Sequence, residues 1–417
     1  MSAQTLPESD ALAGVADPVA AARQWISAAA LRPGTARQVG LELELHLVDL
    51  GQPLRRPGWA RVQAALAGLP PMPAGSSVTL EPGGQVELST PPLPDVVAAV
   101  TALRADRAAL AVGLAEAGLG AAPLGTDPAR EPVRVNPQPR YAAMERHFDA
   151  VGCGAPGRAM MTATAAIQVN LDAGPAEGWA DRFDLLHSLA PVLVAVSATS
   201  AYLAGRASGW HSMRQQAWSG IDHGRTGPVP GGAPGERWAD YALAAPVMMV
   251  RDGDRLDPVT RRFSFAEWLA DPARGGRRAT AADLDHHLTT LFPPIRPRGY
   301  LEIRCLDALP DRWWPALAAL TVTLADDPVA ADRAAELCGP VAGRVEEAAR
   351  WGLEDPQLRA VVRGCTRVAA EHAPPALAAD LAAIADLAEV GRCVGDELRA
   401  RTRDHGPLRL LEEEARA

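Results

Sequence analysis

Glu42 and Glu44 stand two residues apart in Leu41-Glu42-Leu43-Glu44-Leu45-His46-Leu47. Glu81 and Glu87 flank Pro82-Gly83-Gly84-Gln85-Val86. Gln168 and Asn170 share Ile167-Gln168-Val169-Asn170-Leu171, and Glu302 and Arg304 share Tyr300-Leu301-Glu302-Ile303-Arg304-Cys305. Side chains alternate across a β-strand, so each segment reads as a strand with a leucine-rich face and a polar face. Side by side, the four polar faces would line one concave surface with five glutamates, a glutamine, an asparagine and an arginine. Carboxylates at i and i+2 sit about 6.6 Å apart and repel by roughly 2.5 kcal/mol at an effective dielectric near 20. Several such pairs on neighbouring strands need protonation or bound cations. Hard oxygen donors at this density suit Mg²⁺ or Mn²⁺.

Each segment also has a plainer reading. The acids could be the solvated face of an antiparallel sheet. Glu81 and Glu87 could decorate a hairpin turn, although the glycines between them let backbone approach a ligand closely. Gln168 and Asn170 could bond across strands, although the chain holds only two asparagines. Glu302 and Arg304 could form a simple salt bridge; functionally, the glutamate would hold a metal and the arginine would stabilise a transferring phosphoryl group. Arg214 and Arg225, near Trp218 and a Gly/Pro-rich stretch, could be ordinary surface arginines. The adjacent His286 and His287 fit packing or capping better than metal ligation.

Composition narrows the chemistry. The 417 residues are 48% hydrophobic and 22% charged, with a net charge of −9, an ordinary globular make-up. No basic tract is present, which argues against a nucleic-acid partner. No lysine occurs, so all 41 basic side chains are arginine. P-loop NTPase, pyridoxal Schiff-base, Ser-Lys hydrolase and protein-kinase chemistry all require a lysine and are excluded. Phosphate, if handled, falls to arginine and metal. The five cysteines are dispersed and form no CxxC pair, against a disulfide scaffold or zinc finger. Glu8, Asp10 and Asp17 do not suit a signal peptide, and His187 and Pro191 interrupt the most membrane-like stretch, 185–203. A cytoplasmic protein with no evident obligate protein partner is expected.

These strands need a scaffold. Asp17-Pro18 predicts a helix to about Ala30 after a frayed 1–14. Strands are expected at 38–48, at 77–89 with a break at the Pro-Gly-Gly, at 160–172, at 245–250 and at 299–307. Helices are expected at 57–68, 94–118, 140–150, 179–204 with a kink at Pro191, and 280–291. Residues 70–75 and 123–139 read as loops. Residues 220–237 read as the longest unstructured segment and a candidate lid. From 311 onward the pattern is helical, with Leu377, Leu381, Ile384, Leu387 and Val390 at helical spacing. This order predicts an α+β fold with an antiparallel sheet. We expect a catalytic domain over 15–310 and a helical C-terminal region over 311–417 packed on it.

In family order, the segments VGLELELH (39–46), EPGGQVELS (81–89), RYAAME (140–145), MMTATAAIQVNLD (160–172), SMRQQAW (212–218), DYALAAPVMMV (240–250), HLTTLFPPIRPRGYLEIRCLD (287–307) and GRC-G-DE (391–397) resemble the glutamate–cysteine ligases. The likeness is to the actinobacterial branch serving ergothioneine synthesis, related to the plant-type enzymes. The resemblance implies a glutamine-synthetase-like half-barrel, ATP and Mg²⁺ (or Mn²⁺), and glutamate and cysteine as small-molecule substrates. It puts Glu42, Glu44, Glu81, Glu87, Gln168 and Glu302 at metal positions, with Glu87, Glu302 and Arg304 in catalysis. It puts Arg304, Gln168 and Arg225 at the nucleotide, and Arg140, Asn170, Arg214 and Tyr241 at the amino-acid substrates. The implied reaction proceeds through γ-glutamyl phosphate, which the cysteine amine then attacks. The alternatives are ligation of glutamate to another amine, or a Mg²⁺-dependent phosphotransferase on the same fold.

Overall fold

The leucines of the first strand decide where the sheet lies. Leu41, Leu43 and Leu45 are fully buried, each contributing about 2 kcal/mol of apolar burial, while Glu42 and Glu44 point to the opposite face and stay partly accessible. In the computed structural model the described residues are Leu12, 15–34, 37–253 and 255–417; the expected fraying of 1–14 falls, Leu12 apart, outside them.

The main sheet is antiparallel throughout. It comprises β1 (Val39–Asp49), β2 (Ser77–Leu80), β3 (Val86–Ser89), β4 (Leu119–Ala122), β5 (Ala166–Leu171), and, after two small hairpins, β10 (Ile295–Pro297) and β11 (Leu301–Asp307). Its order is β10-β11-β5-β1-β3-β2, with β4 pairing the second half of β1. The hairpins are β6 (Tyr202–Leu203) with β7 (Arg206–Ala207), and β8 (Met249–Asp252) with β9 (Arg255–Pro258).

Helices pack on both sides of the sheet. They are α1 (Pro18–Ala30), α2 (Trp59–Ala67), α3 (Val96–Glu116), α4 (Pro139–Ala150), α5 (Gly154–Ala163), α6 (Trp179–Ser197), α7 (Met213–Ser219), α8 (His223–Thr226), α9 (Pro234–Ala244), α10 (Phe265–Ala270) and α11 (Ala281–Leu288), then α12 (Trp314–Asp326) to α18 (Pro407–Arg416) in the C-terminal part. α3, α6 and α12 lie on the leucine face, and α4, α5 and α7 over the glutamates. One continuous core joins Leu41, Leu43, Val86, Val169 and Ile303 of the sheet to Leu103 of α3, Leu193 of α6 and Leu317 of α12, and runs on to Leu381 and Ile384 of the helix Ala378–Glu389. Asp17 caps α1 by accepting from the Ala20 amide at 2.9 Å, and Pro18 occupies its first turn, as the Asp-Pro pair predicts.

Several expectations are corrected. Segment 77–89, expected as one strand broken or bulged at the Pro-Gly-Gly, is two strands paired in a hairpin. The first part of the strand expected at 160–172 is the end of α5, because Thr162 and Thr164 return their hydroxyls to carbonyls four residues back. α6 stops at Ser197 rather than 204, since Ser197, Thr199 and Ser200 bond Asp307 instead of continuing the helix. The strand near 245–250 belongs to the separate β8–β9 hairpin. Segment 220–237 contains α8 and the start of α9 rather than an unstructured lid. Val390 of the helical stripe is exposed.

The turn between β2 and β3 is held against α5. Gln85 Nε2 donates to the Thr164 carbonyl at 2.8 Å. A Cβ on Gly83 would come within 2.2 Å of the Thr162 carbonyl oxygen and 2.6 Å of its Cα, backbone atoms that cannot swing away. Gly83→Ala should lower the unfolding free energy by roughly 1–3 kcal/mol, seen as a reduced urea midpoint at unchanged slope. An unchanged midpoint would mean the turn does not rest on α5.

Candidate active site

Register brings the polar residues together. On neighbouring strands Glu44 lies opposite Glu87, Glu42 opposite Gln168, and Glu302 opposite both Asn170 and Arg296. These faces floor a cavity of about 270 Å³, where Glu42, Glu44, Glu81, Glu87 and Glu302 meet Arg140, Arg296, Arg298 and Arg304. The opposite wall is apolar: Met144 of α4, Met160 and Met161 of α5, Trp218 of α7, and Phe292. Trp218 packs edge-to-face on Phe292 at 5.3 Å, with the Arg214 and Arg304 guanidiniums 5.5 and 5.8 Å from its ring centre.

The two ends of the sheet differ electrostatically. Glu302 is buried, yet Arg296 grips it with both Nε and Nη2, Arg304 Nη1 lies 3.1 Å away and Arg298 Nη1 3.6 Å. Burial alone would raise its carboxyl, but Arg296 and Arg304 overcome that and hold it far below the usual range. Arg304 also donates from Nη1 to Gln168 Oε1 at 2.6 Å. Glu42 accepts from Asn170 Nδ2 at 2.9 Å; Glu44 accepts from the Ala166 amide at 2.8 Å, and Glu87 from Thr79 Oγ1 at 2.6 Å. These bonds do not offset burial. Burial, then Glu302 and Glu87, push Glu42 up to about 7. Burial raises Glu44 as well, and burial with neighbouring carboxylates raises Glu87 and, furthest, Glu81.

Not every expected residue reaches the cavity. Arg225 is fully buried away from it, donating to the Thr290 carbonyl at 2.8 Å and the Pro246 carbonyl at 2.6 Å; in this structure it straps loops together and lines no part of the cavity. Tyr241 stacks on Trp238 and lines no part of the cavity. Arg214 lies behind the wall, donating to the Arg304 carbonyl at 2.8 Å. Asn170 and Glu42 open into an adjoining cavity of about 140 Å³ with Gly40 and Tyr300. His46, on the same strand face, is buried, and burial lowers it to about 3.

Sequence reasoning missed Arg296, Arg298 and Tyr141. Arg296 and Arg298 flank Pro297 beside the Glu302 strand, and the spacing of the two arginines was the available signal. Arg140 does line the cavity, its Nη2 donating to the Thr289 carbonyl at 3.1 Å.

Among the described residues, no three His, Cys, Asp or Glu side chains stand as a ready metal cage. Of the six positions expected at a metal, Glu302 is bound by Arg296 and Arg304 in this structure. The remaining donors still fit a hard divalent cation. Glu42, Glu44, Glu81 and Glu87 are oxygen donors that burial pushes toward protonation even though Arg304 acts against it.

The sequence pattern described as Glutamate-cysteine ligase family 2 (GCS2) matches residues 38–414. The chain belongs to that family. It is 49% identical over 395 residues to Glutamate–cysteine ligase EgtA of Mycolicibacterium smegmatis, covering 94% of this chain and 93% of that one. It is 50% identical over 387 residues to Glutamate–cysteine ligase EgtA of Mycobacterium tuberculosis, covering 91% and 90%. The solved glutamate–cysteine ligase of Francisella tularensis in complex with AMP is 13% identical over 92% of this chain and 88% of that one, at a TM-score of 0.47, a likeness too distant to bear on the site.

The raised Glu42 sets a pH dependence. Folded Glu42 keeps its proton to about pH 7, whereas the unfolded chain releases it near 4.5. Stability from this site is therefore present at low pH and lost as pH rises between those values. Glu42→Gln keeps the shape without the charge. It should match the wild type near pH ~4 and exceed it by on the order of 1–3 kcal/mol at pH ~8. Denaturant melts at both pH values decide this; an equal effect at both removes the assigned repulsion.

Proposed function

We propose that the protein joins the γ-carboxylate of L-glutamate to the amine of L-cysteine at the expense of ATP, through γ-glutamyl phosphate, giving γ-glutamylcysteine, ADP and phosphate for ergothioneine biosynthesis. The observation that carries this reading is identity near one half to the two mycobacterial ligases over nine-tenths or more of each chain. The carboxylate–arginine cavity supports it. We assign the chemistry to residues 15–310, with 311–417 as helical support, and place the enzyme in the cytoplasm. Among the described residues no helix is long and apolar enough to cross a membrane.

Glu42, Glu44, Glu81 and Glu87, with Gln168 beside them, would hold Mg²⁺ or Mn²⁺, which when bound supplies positive charge against the carboxylate and phosphate oxygens. Arg304 is the residue we assign to the transferring phosphoryl group. Its guanidinium is oriented by Gln168 and Glu302, so its donors are set before reaction. Glu302, held anionic by its arginines, acts chiefly by orienting Arg296 and Arg304. Arg140 is the best-placed arginine for a substrate carboxylate. The wall of Met160, Met161, Trp218 and Phe292 keeps the acyl phosphate from water.

The test is ADP release with glutamate, with and without cysteine, followed by the mass of the product. Cysteine-dependent release and a dipeptide mass are expected. Equal rates with alanine or 2-aminobutyrate would overturn the named acceptor, and a stable phosphorylated product without dipeptide would favour a phosphotransferase. Arg304→Lys keeps the charge but loses the planar fork. Its turnover should fall by about 100-fold, near 3 kcal/mol, with little change in melting temperature; an unchanged turnover removes Arg304 from the transition state.

A further inference from the structure

Asp307 ends the strand that carries Glu302 and Arg304, and its carboxylate is buried. Three groups donate to it: Ser200 Oγ at 2.6 Å, Ser212 Oγ at 2.8 Å and the Thr199 amide at 3.1 Å. The two serines pass this contact on to α7. Ser200 Oγ accepts from the Arg214 amide at 3.0 Å, and Ser212 Oγ accepts from the Gln215 amide at 3.2 Å as the helix cap.

α7 returns to the same strand. The β5–β11 register shifts between Ile303 and Leu306, which takes Arg304 and Cys305 out of that ladder. Their carbonyls are met from α7 instead. Arg214 Nη2 donates to Arg304 O at 2.8 Å, and Gln215 Nε2 to Cys305 O at 2.6 Å. The loop closes on the cavity, because α7 also carries Trp218 and the bulge carries Arg304. Room for Asp307 is reserved by Gly125, where a Cβ would come within 2.7 Å of its carboxylate.

We propose that Asp307 is a positioning residue. Through Ser200 and Ser212 it sets α7 against the bulge, and so fixes the Trp218 wall and the Arg304 main chain that face the reacting groups. Asp307 touches neither cavity nor substrate; it acts through the two serines. The kinetic part of the test rests on the ligase reading above, whereas the spectroscopic part does not.

Protein labelled with 5-fluorotryptophan gives one ¹⁹F line for Trp218, assigned with Trp218→Phe, among those of the ten tryptophans. In Asp307→Asn the Trp218 line should shift or broaden while most other lines hold. kcat/KM for glutamate should fall by about ten-fold or more. The Ser200→Ala/Ser212→Ala double variant should reproduce both effects, and adding Asp307→Asn to it should cost less than about two-fold further, since the three act as one unit. An Asp307→Asn protein with an unmoved Trp218 line and unchanged kcat/KM overturns the proposal, as does full additivity with the serine changes. Should Asp307→Asn not fold, the serine double variant decides alone: a displaced Trp218 line supports the proposal, an unmoved one overturns it. If the wild type fails to ligate cysteine, the ligase reading falls, and the ¹⁹F line still decides the role of Asp307.

Discussion

Every part of the site answers to the crowding of negative charge on one face of a sheet whose other face is core. The glutamates cannot turn away from one another. A one-residue slip of β1 would bury Glu42 and Glu44 among the helices and expose three leucines, a loss of several kcal/mol. The sheet therefore holds like charges at strand spacing, and the surroundings must deal with them. At β10 and β11 they do so with arginine: Glu302 lies under Arg296, Arg298 and Arg304. At β1, β3 and the turn before β3 arginine does so only in part, and Glu42, Glu44, Glu81 and Glu87 are all pushed toward protonation. The face is polarised along its own length, with a compensated end and an end that calls for a cation.

Beside the helical core, close backbone approaches hold the residues around this imbalance. The β2–β3 turn meets α5 where Gly83 leaves room. The β11 bulge frees two carbonyls for α7. Arg225, despite its place in a Gly/Pro-rich stretch, is an internal strap that donates to carbonyls of two other segments. With no lysine in the chain, such straps use the guanidinium, whose five donors lie in a fixed planar fork that can bridge separated carbonyls.

What could be read from the sequence follows the range of the physics. Strand alternation is local, so the polar face of β1, β5 and β11 and the roles of their leucines were legible, as was the capped start of α1. Pairing was less so. Pro82-Gly83-Gly84 marks a tight turn, but only the observed register distinguishes a hairpin from a bulge. Arg296 and Arg298 escaped notice because β10, which holds Arg296 and stops just before Arg298, is three residues long and ends in Pro297, too short for a period to register. That Arg225 and Tyr241 lie off the cavity could not be read locally, because burial in a loop or on a helix is set by contacts far along the chain. His46 shares the period of Glu42 and Glu44, yet β4 pairs with that half of the strand and the residue is enclosed.

The apolar wall gives the charged floor its strength. Met144, Met160, Met161 and Phe292 line the side of the cavity opposite the glutamates, and they contribute no donors or counter-charges. Their effect is to exclude water, and burial heads the causes that raise Glu42, Glu44, Glu81 and Glu87. The same exclusion strengthens the attraction between Arg304 and any anion placed beside it, because Coulomb energies grow as the effective dielectric falls from that of water toward that of protein. Opening the wall would weaken both effects together. Trp218, at the contact between wall and floor, is thus tied to the electrostatics of the site although it carries no charge. The sheet supplies the charges; the helices opposite determine how strongly they act.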